Sequence, residues 1–97
     1  MQVKDWSEAI GKPVKMRDGA IAFIAGDASK IEGFGCILSP LVGFFFSGSQ
    51  MIGCSWDKNG EDSPGRESPF DLIEYPNKEE LERFEQEIFM YSLNFYT

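Results

Sequence analysis

Ninety-seven residues with 42% hydrophobic and 14% aromatic side chains suffice for one core and are too few for two, which excludes a disordered segment and a multidomain machine. The formal charge of −7 sits in the second half: residues 1–56 hold five acids and five bases, and residues 57–97 hold eleven acids and four bases. That balance repels phosphates and anionic bilayers and excludes direct nucleic-acid and membrane binding, and the absence of histidine removes Ser-His and Cys-His pairs and the usual zinc sets.

Met1 to Ile10 is polar, with no apolar signal segment, and residues 5–10 read as one helical turn ended by Gly11. Val14-Lys15-Met16-Arg17 alternates with period two, which predicts a half-buried strand. Asp18-Gly19 reads as a type I′ hairpin turn returning into a second strand over Ala20–Ala25. A polar loop leads to a third strand over Gly33–Leu38, broken by Ser39-Pro40. Leu41 to Ser47 is a fourth strand or a hydrophobic loop, and Met51–Trp56 follows a Gly48-Ser49-Gln50 turn. Asp57-Lys58-Asn59-Gly60 is a turn, Glu61–Ser68 a loop, and Pro69–Tyr75 the last strand. Asn77, with Glu80 three positions later, predicts a capping box opening a helix over 77–95. Leu81, Phe84, Ile88, Tyr91 and Phe95 recur at three- and four-residue steps and form its apolar stripe.

These elements predict a single domain over 1–97, mainly β within the α+β class. Residues 11–75 form a small antiparallel barrel or rolled sheet of five to six strands, and a C-terminal amphipathic helix follows. Cys36 and Cys54 lie in separate apolar stretches and read as reduced core thiols of a cytoplasmic protein, with a cross-strand disulfide as the alternative.

Three pieces carry a resemblance: Gly11-Lys12-Pro13-Val14-Lys15-Met16-Arg17-Asp18-Gly19, Trp56-Asp57-Lys58-Asn59-Gly60, and Ser68-Pro69-Phe70-Asp71-Leu72-Ile73. Together they resemble a group of small bacteriophage and prophage proteins, across about residues 11–75. Those proteins carry a Gly-Lys-Pro-Val, Arg-Asp-Gly hairpin and a Ser-Pro-Tyr-Asp-Leu-Val-like strand. The resemblance implies an SH3-like β barrel and a phage or prophage origin, without a shared activity. The chain departs from the group at residues 36–52, which are more hydrophobic, and at the acidic C-terminal helix.

The residues point away from catalysis, and no cofactor or metal ligand set is expected. Glu61-Asp62, Asp71 and Glu74 stand out as acids only because acids are plentiful, and Asp71 beside Pro69 reads as a turn acceptor. The expected function is a non-enzymatic protein–protein interaction module acting in the bacterial cytoplasm on a host or phage protein. Trp56, Phe45 and Phe46 read first as core packing and become a partner patch if they are exposed, alongside the helix acids Glu79, Glu80, Glu82, Glu85 and Glu87. In one version those glutamates imitate phosphates and inhibit a host nucleic-acid-handling or defence protein. The alternatives are a small-ligand or nucleotide-binding barrel, using Arg17, Asp18 and Trp56, and a structural homo-oligomer. A homodimer through Phe89, Leu93 and Tyr96 on the C-terminal helix is a further expectation.

Overall fold

The computed structural model describes residues 5–31, 39–63 and 65–93. Among these residues, five antiparallel strands and one C-terminal helix make an α+β fold. The strands are β1 (Pro13–Met16), β2 (Ile21–Asp27), β3 (Leu41–Ser47), β4 (Gln50–Trp56) and β5 (Leu72–Glu74), and the helix is α1 (Lys78–Leu93). The sheet order is β4-β3-β2-β1-β5, so β4 and β5 are its edges. The strand expected at 33–38 and Cys36 lie outside the described residues.

Period-two patterning assigns the two faces. Val14, Met16, Ala22, Ile24, Leu41, Phe45, Trp56 and Leu72 share one core with Trp6 and Ala9, which a 3-10 helix at Trp6–Ala9 supplies. Ile21 and Phe46 point the other way, with Phe23 and Phe44, and α1 covers them with Phe84. The register sets Phe23 opposite Phe44 and Ala22 opposite Phe45, which keeps both faces consistent.

The sheet curls. Its edges would lie about 19 Å apart across four flat strand spacings, yet Trp56 of β4 and Leu72 of β5 share one core. The segment between them closes the gap: Leu72 N–H donates to Gly60 O at 2.8 Å, and Trp56 Nε1–H donates to Phe70 O at 2.8 Å. The result is a rolled sheet in which no described strand pairs β4 with β5.

The turns match in place and differ in kind. A type I′ turn needs positive φ at both central residues, but among the described residues only glycines have it. Gly19 (φ 93°) donates to Met16 O, and Met16 N–H donates to Ala20 O. This is a three-residue loop ending in a glycine bulge, and the Asp18 carboxylate completes it by accepting from Ala20 N–H at 2.9 Å. Gly48 (φ 62°) ahead of Ser49, between the paired Ser47 and Gln50, has the signature of a type II′ hairpin.

The last strand is shorter than the expected Pro69–Tyr75. Asp71 N–H donates to Ser68 O and Ser68 Oγ accepts from Phe70 N–H, so residues 68–71 are held in a turn and only Leu72–Glu74 remain to pair with β1.

Candidate functional site

Two surfaces collect chemically distinctive groups. The first is an open cleft of about 510 Å³ lined by Trp6, Arg17, Asn59, Arg66, Glu67 and Asp71, among others. Arg17 leaves the β1–β2 turn toward it, 3.7 Å from Glu67 and 3.5 Å from Asp71. Asp71 is only 4% exposed. Its Oδ1 accepts from Asp62 N–H and its Oδ2 from Ser68 N–H, both at 2.9 Å, and its own carbonyl accepts from Arg17 N–H at 2.8 Å. One buried carboxylate thus holds Asp62 and Ser68 together, and the Asp71 backbone ties them to the β1–β2 turn, the turn-acceptor role expected of it. Glu61 is occupied as well, accepting from Gly65 N–H at 2.8 Å.

The ligand-site expectation is only partly assembled. Arg17 lines this cleft and Asp18 sits beside it on the turn, but Trp56 is 0% exposed and lies in the core. Its indole needs an acceptor once buried and finds Phe70 O, so the aromatic at the cleft is Trp6, partly tethered by Trp6 N–H to Lys58 O. The shared signal in the sequence, an aromatic near a turn, does not distinguish the two tryptophans.

The second surface is α1. Asn77 Oδ1 accepts from Glu80 N–H and Glu80 Oε1 accepts from Asn77 N–H, both at 2.9 Å, which completes the capping box. The other Glu80 oxygen lies 2.9 Å from Lys15 Nζ, and Glu74 lies 3.5 Å from the same ammonium. The Asn77 backbone bond, then Lys15, holds the Glu80 carboxyl below its ordinary value. The Lys15 ammonium is shifted up, chiefly by Glu80 and to a lesser degree by Glu74. Arg83 Nη2 donates to Gly19 O at 3.2 Å, fixing the helix to the β1–β2 turn.

The expected partner set therefore divides. Phe45 and Phe46 are each 7% exposed: Phe45 faces the core, and Phe46 packs against Phe84 and Tyr91 with ring centroids 6.1 and 5.3 Å away. With Trp56 also buried, these three form no apolar platform, because each face of the sheet already has a cover. Glu80 is committed to the cap and to Lys15. Glu79, Glu82 and Glu85 are exposed, and Glu87 is half-buried.

At 100° per residue, the side of α1 away from Phe84 and Tyr91 presents Glu79 and Glu82, with Gln86 at its flank, then Phe89, Met90 (at the rim of a groove shared with Phe46 and Gly48) and Leu93. The last three are 62%, 61% and 40% exposed. This face is acidic at its N-terminal half and apolar at its C-terminal half. Phe89 and Leu93 match two residues of the expected helix contact, while Tyr96 lies outside the described residues.

Cys54 is a free thiol, half-buried on β4, with Sγ 3.6 Å from Asp62 Oδ1. Burial first, and the Asp62 charge second, push it up to about 11, so it stays protonated and is a poor nucleophile at neutral pH. Among the described residues no three His, Cys, Asp or Glu side chains are grouped to hold a metal, and no helix is long and apolar enough to cross a membrane. No family model matches the chain, and neither a curated protein nor a solved structure is similar to it.

Proposed function

We propose that this protein is a non-enzymatic protein-binding module, of phage or mobile-element origin, that acts in the bacterial cytoplasm by docking the outer face of α1 on a host or phage protein. The exposure of Phe89 and Met90 carries the reading. The inward side of the same helix is already satisfied by Phe84 and Tyr91 against the sheet, so the fold does not need two further large apolar side chains facing water. Glu79 and Glu82, about two to three turns earlier on the same face, give the docking surface a negative end that steers it toward a basic rim. Phosphate imitation by the helix is then the work of Glu79, Glu82 and Glu85, because Glu80 is held by Asn77 and Lys15.

The test is capture from bacterial lysate by the intact chain, by a Phe89→Ser, Met90→Ser variant and by a Glu79→Gln, Glu82→Gln variant. The reading requires a protein that the intact chain retains, that the serine variant loses, and that the glutamine variant holds less well at low salt. Equal recovery by all three removes it.

A second reading rests on the cleft. Arg66 has no hydrogen bond or ion pair from its side chain among the described residues, and with Arg17 it puts two guanidiniums at one concave site. Thermal stabilisation by a nucleotide that is lost in Arg66→Ala would favour a small-ligand barrel over the docking module.

A further inference from the structure

The fold treats its two buried tryptophans differently. Trp56 Nε1–H donates to Phe70 O at 2.8 Å. Trp6 is 3% exposed, yet its indole N–H has no acceptor among the described residues. A buried indole N–H ordinarily finds a partner, because losing water without gaining a bond is costly. Every side-chain nitrogen or oxygen sealed from solvent among the described residues does have one, so the Trp6 nitrogen is not sealed. Trp6 and Gly60 both line the cleft of about 510 Å³. Gly60 lies against the Cδ1–Nε1 edge of the indole, where a Cβ would stand 2.6 Å from both atoms. The donor therefore opens into the cleft beside Gly60. Its position is fixed, since Trp6 N–H is bonded to Lys58 O at 2.8 Å and the ring packs on Tyr75 with centroids 5.8 Å apart.

The same cleft holds a charge to go with that donor. Arg66 is exposed, and its side chain has no partner among the described residues, while its backbone N–H is anchored to Ser63 O at 3.0 Å. Arg17 is already shared between Glu67 and Asp71. An indole N–H and a guanidinium are donors only, so together they call for an acceptor, an oxyanion. The rest of the lining selects its charge. Glu61, Glu67 and Asp71 outnumber the two arginines, so a dianionic phosphate is repelled where a monoanion is balanced by Arg66. A planar carboxylate matches the guanidinium fork, and Leu72 and Ile73 offer apolar wall to whatever carries it. We infer that the cleft binds a monoanionic carboxylate, which accepts from Trp6 Nε1–H and pairs with Arg66; this rests on the small-ligand reading of the cleft and is independent of the α1 docking face.

Titration of the full chain with sodium acetate, followed by the indole N–H signals in proton–nitrogen spectra, tests it. The Trp6 signal is the one in contact with the Gly60 α-protons. A few charge-assisted bonds at an open site imply millimolar affinity, so acetate is taken to about 50 mM with ionic strength held by NaCl. The Trp6 signal should move downfield and saturate, while the Trp56 signal, already bonded to Phe70 O, stays in place. Acetamide, which lacks the charge, should move neither. Arg66→Gln keeps the exposed loop position and should weaken acetate by about tenfold. N-acetyl-Gly-Gly with a free carboxyl end distinguishes the sources: binding about tenfold tighter than acetate assigns the site to the C-terminus of a chain, and equal binding assigns it to a free small acid. No saturable Trp6 shift with acetate or the dipeptide overturns the inference. So does an equal response to acetamide, or an affinity indifferent to Arg66→Gln. Adenosine monophosphate moving the Trp6 signal where the carboxylates fail would keep the cleft as a ligand site and overturn the carboxylate alone; silence from all of them removes both.

Discussion

Removing the Asp71 carboxylate should loosen the whole segment from 62 to 71. The side chain is 6% exposed and accepts two backbone N–H groups at 2.9 Å, from Asp62 and Ser68. A hydrogen bond to a charged group contributes about 1.5–3 kcal/mol, and an orphaned buried donor costs about as much as the bond it lost. Arg17 at 3.5 Å is 45% exposed and adds little. Asp71→Ala therefore costs about 4 kcal/mol. Asp71→Asn keeps one acceptor and turns a donor toward the other N–H, so it costs about 2–3 kcal/mol. Urea denaturation gives both numbers from the midpoint at constant slope. The amide resonances of Asp62 and Ser68 should lose their carboxylate-bound shifts in the same variants. An Asp71→Asn protein within about 0.5 kcal/mol of the parent would refute the assignment of Asp71 as the organiser of this loop.

Other expectations follow from packing and titration. Phe84 is 2% exposed beneath Phe44 and Phe46, so Phe84→Ala should cost about 3–5 kcal/mol and detach α1, read as lost helical circular dichroism and a lower urea midpoint. A Cβ at Gly43 would sit 1.8 Å from Phe23 O, so Gly43→Ala should destabilise by more than about 3 kcal/mol in urea, while Gly53→Ala, in open space, should be neutral or stabilise by up to about 1 kcal/mol. The raised Cys54 thiol favours the folded state while it is protonated. Its contribution is complete below pH 9.0 and is lost as pH rises toward about 11. Part of the side chain is solvated, so a Cys54→Ser variant should lose about 1–2 kcal/mol less than the parent between those pH values. The lowered Glu80 carboxyl works in the opposite direction: its stabilisation is present above the ordinary glutamate value of 4.5 and is lost as acid protonates it, a loss that Glu80→Gln should not show in an acid titration.

Much of the architecture was written locally. Gly19, Gly48 and Gly60 mark the turns, since a positive φ admits glycine most readily, and the Asn77–Glu80 pair marks where α1 begins. Alternation in Val14–Met16 fixes its buried face locally, because strand geometry points successive side chains to opposite sides. The candidate site was less legible. Asp71 could be suspected as a turn acceptor from its neighbours, but Arg17, Trp6 and Arg66 meet around it only because β5 returns to pair with β1. The outward Phe89 and Met90 are set by which stripe of α1 the sheet takes.

From its composition and short-range patterns alone, the chain determined its net negative charge, the places of its turns, its antiparallel strands and its capped helix. Only tertiary structure decided that Trp56, Phe45 and Phe46 lie inside and that the final strand shrinks to three residues. The physical reason is range. Turn and cap preferences act over three or four residues, whereas burial and edge exposure are fixed by pairings such as Met16 with Leu72 and Leu41 with Trp56, whose partners no local pattern names.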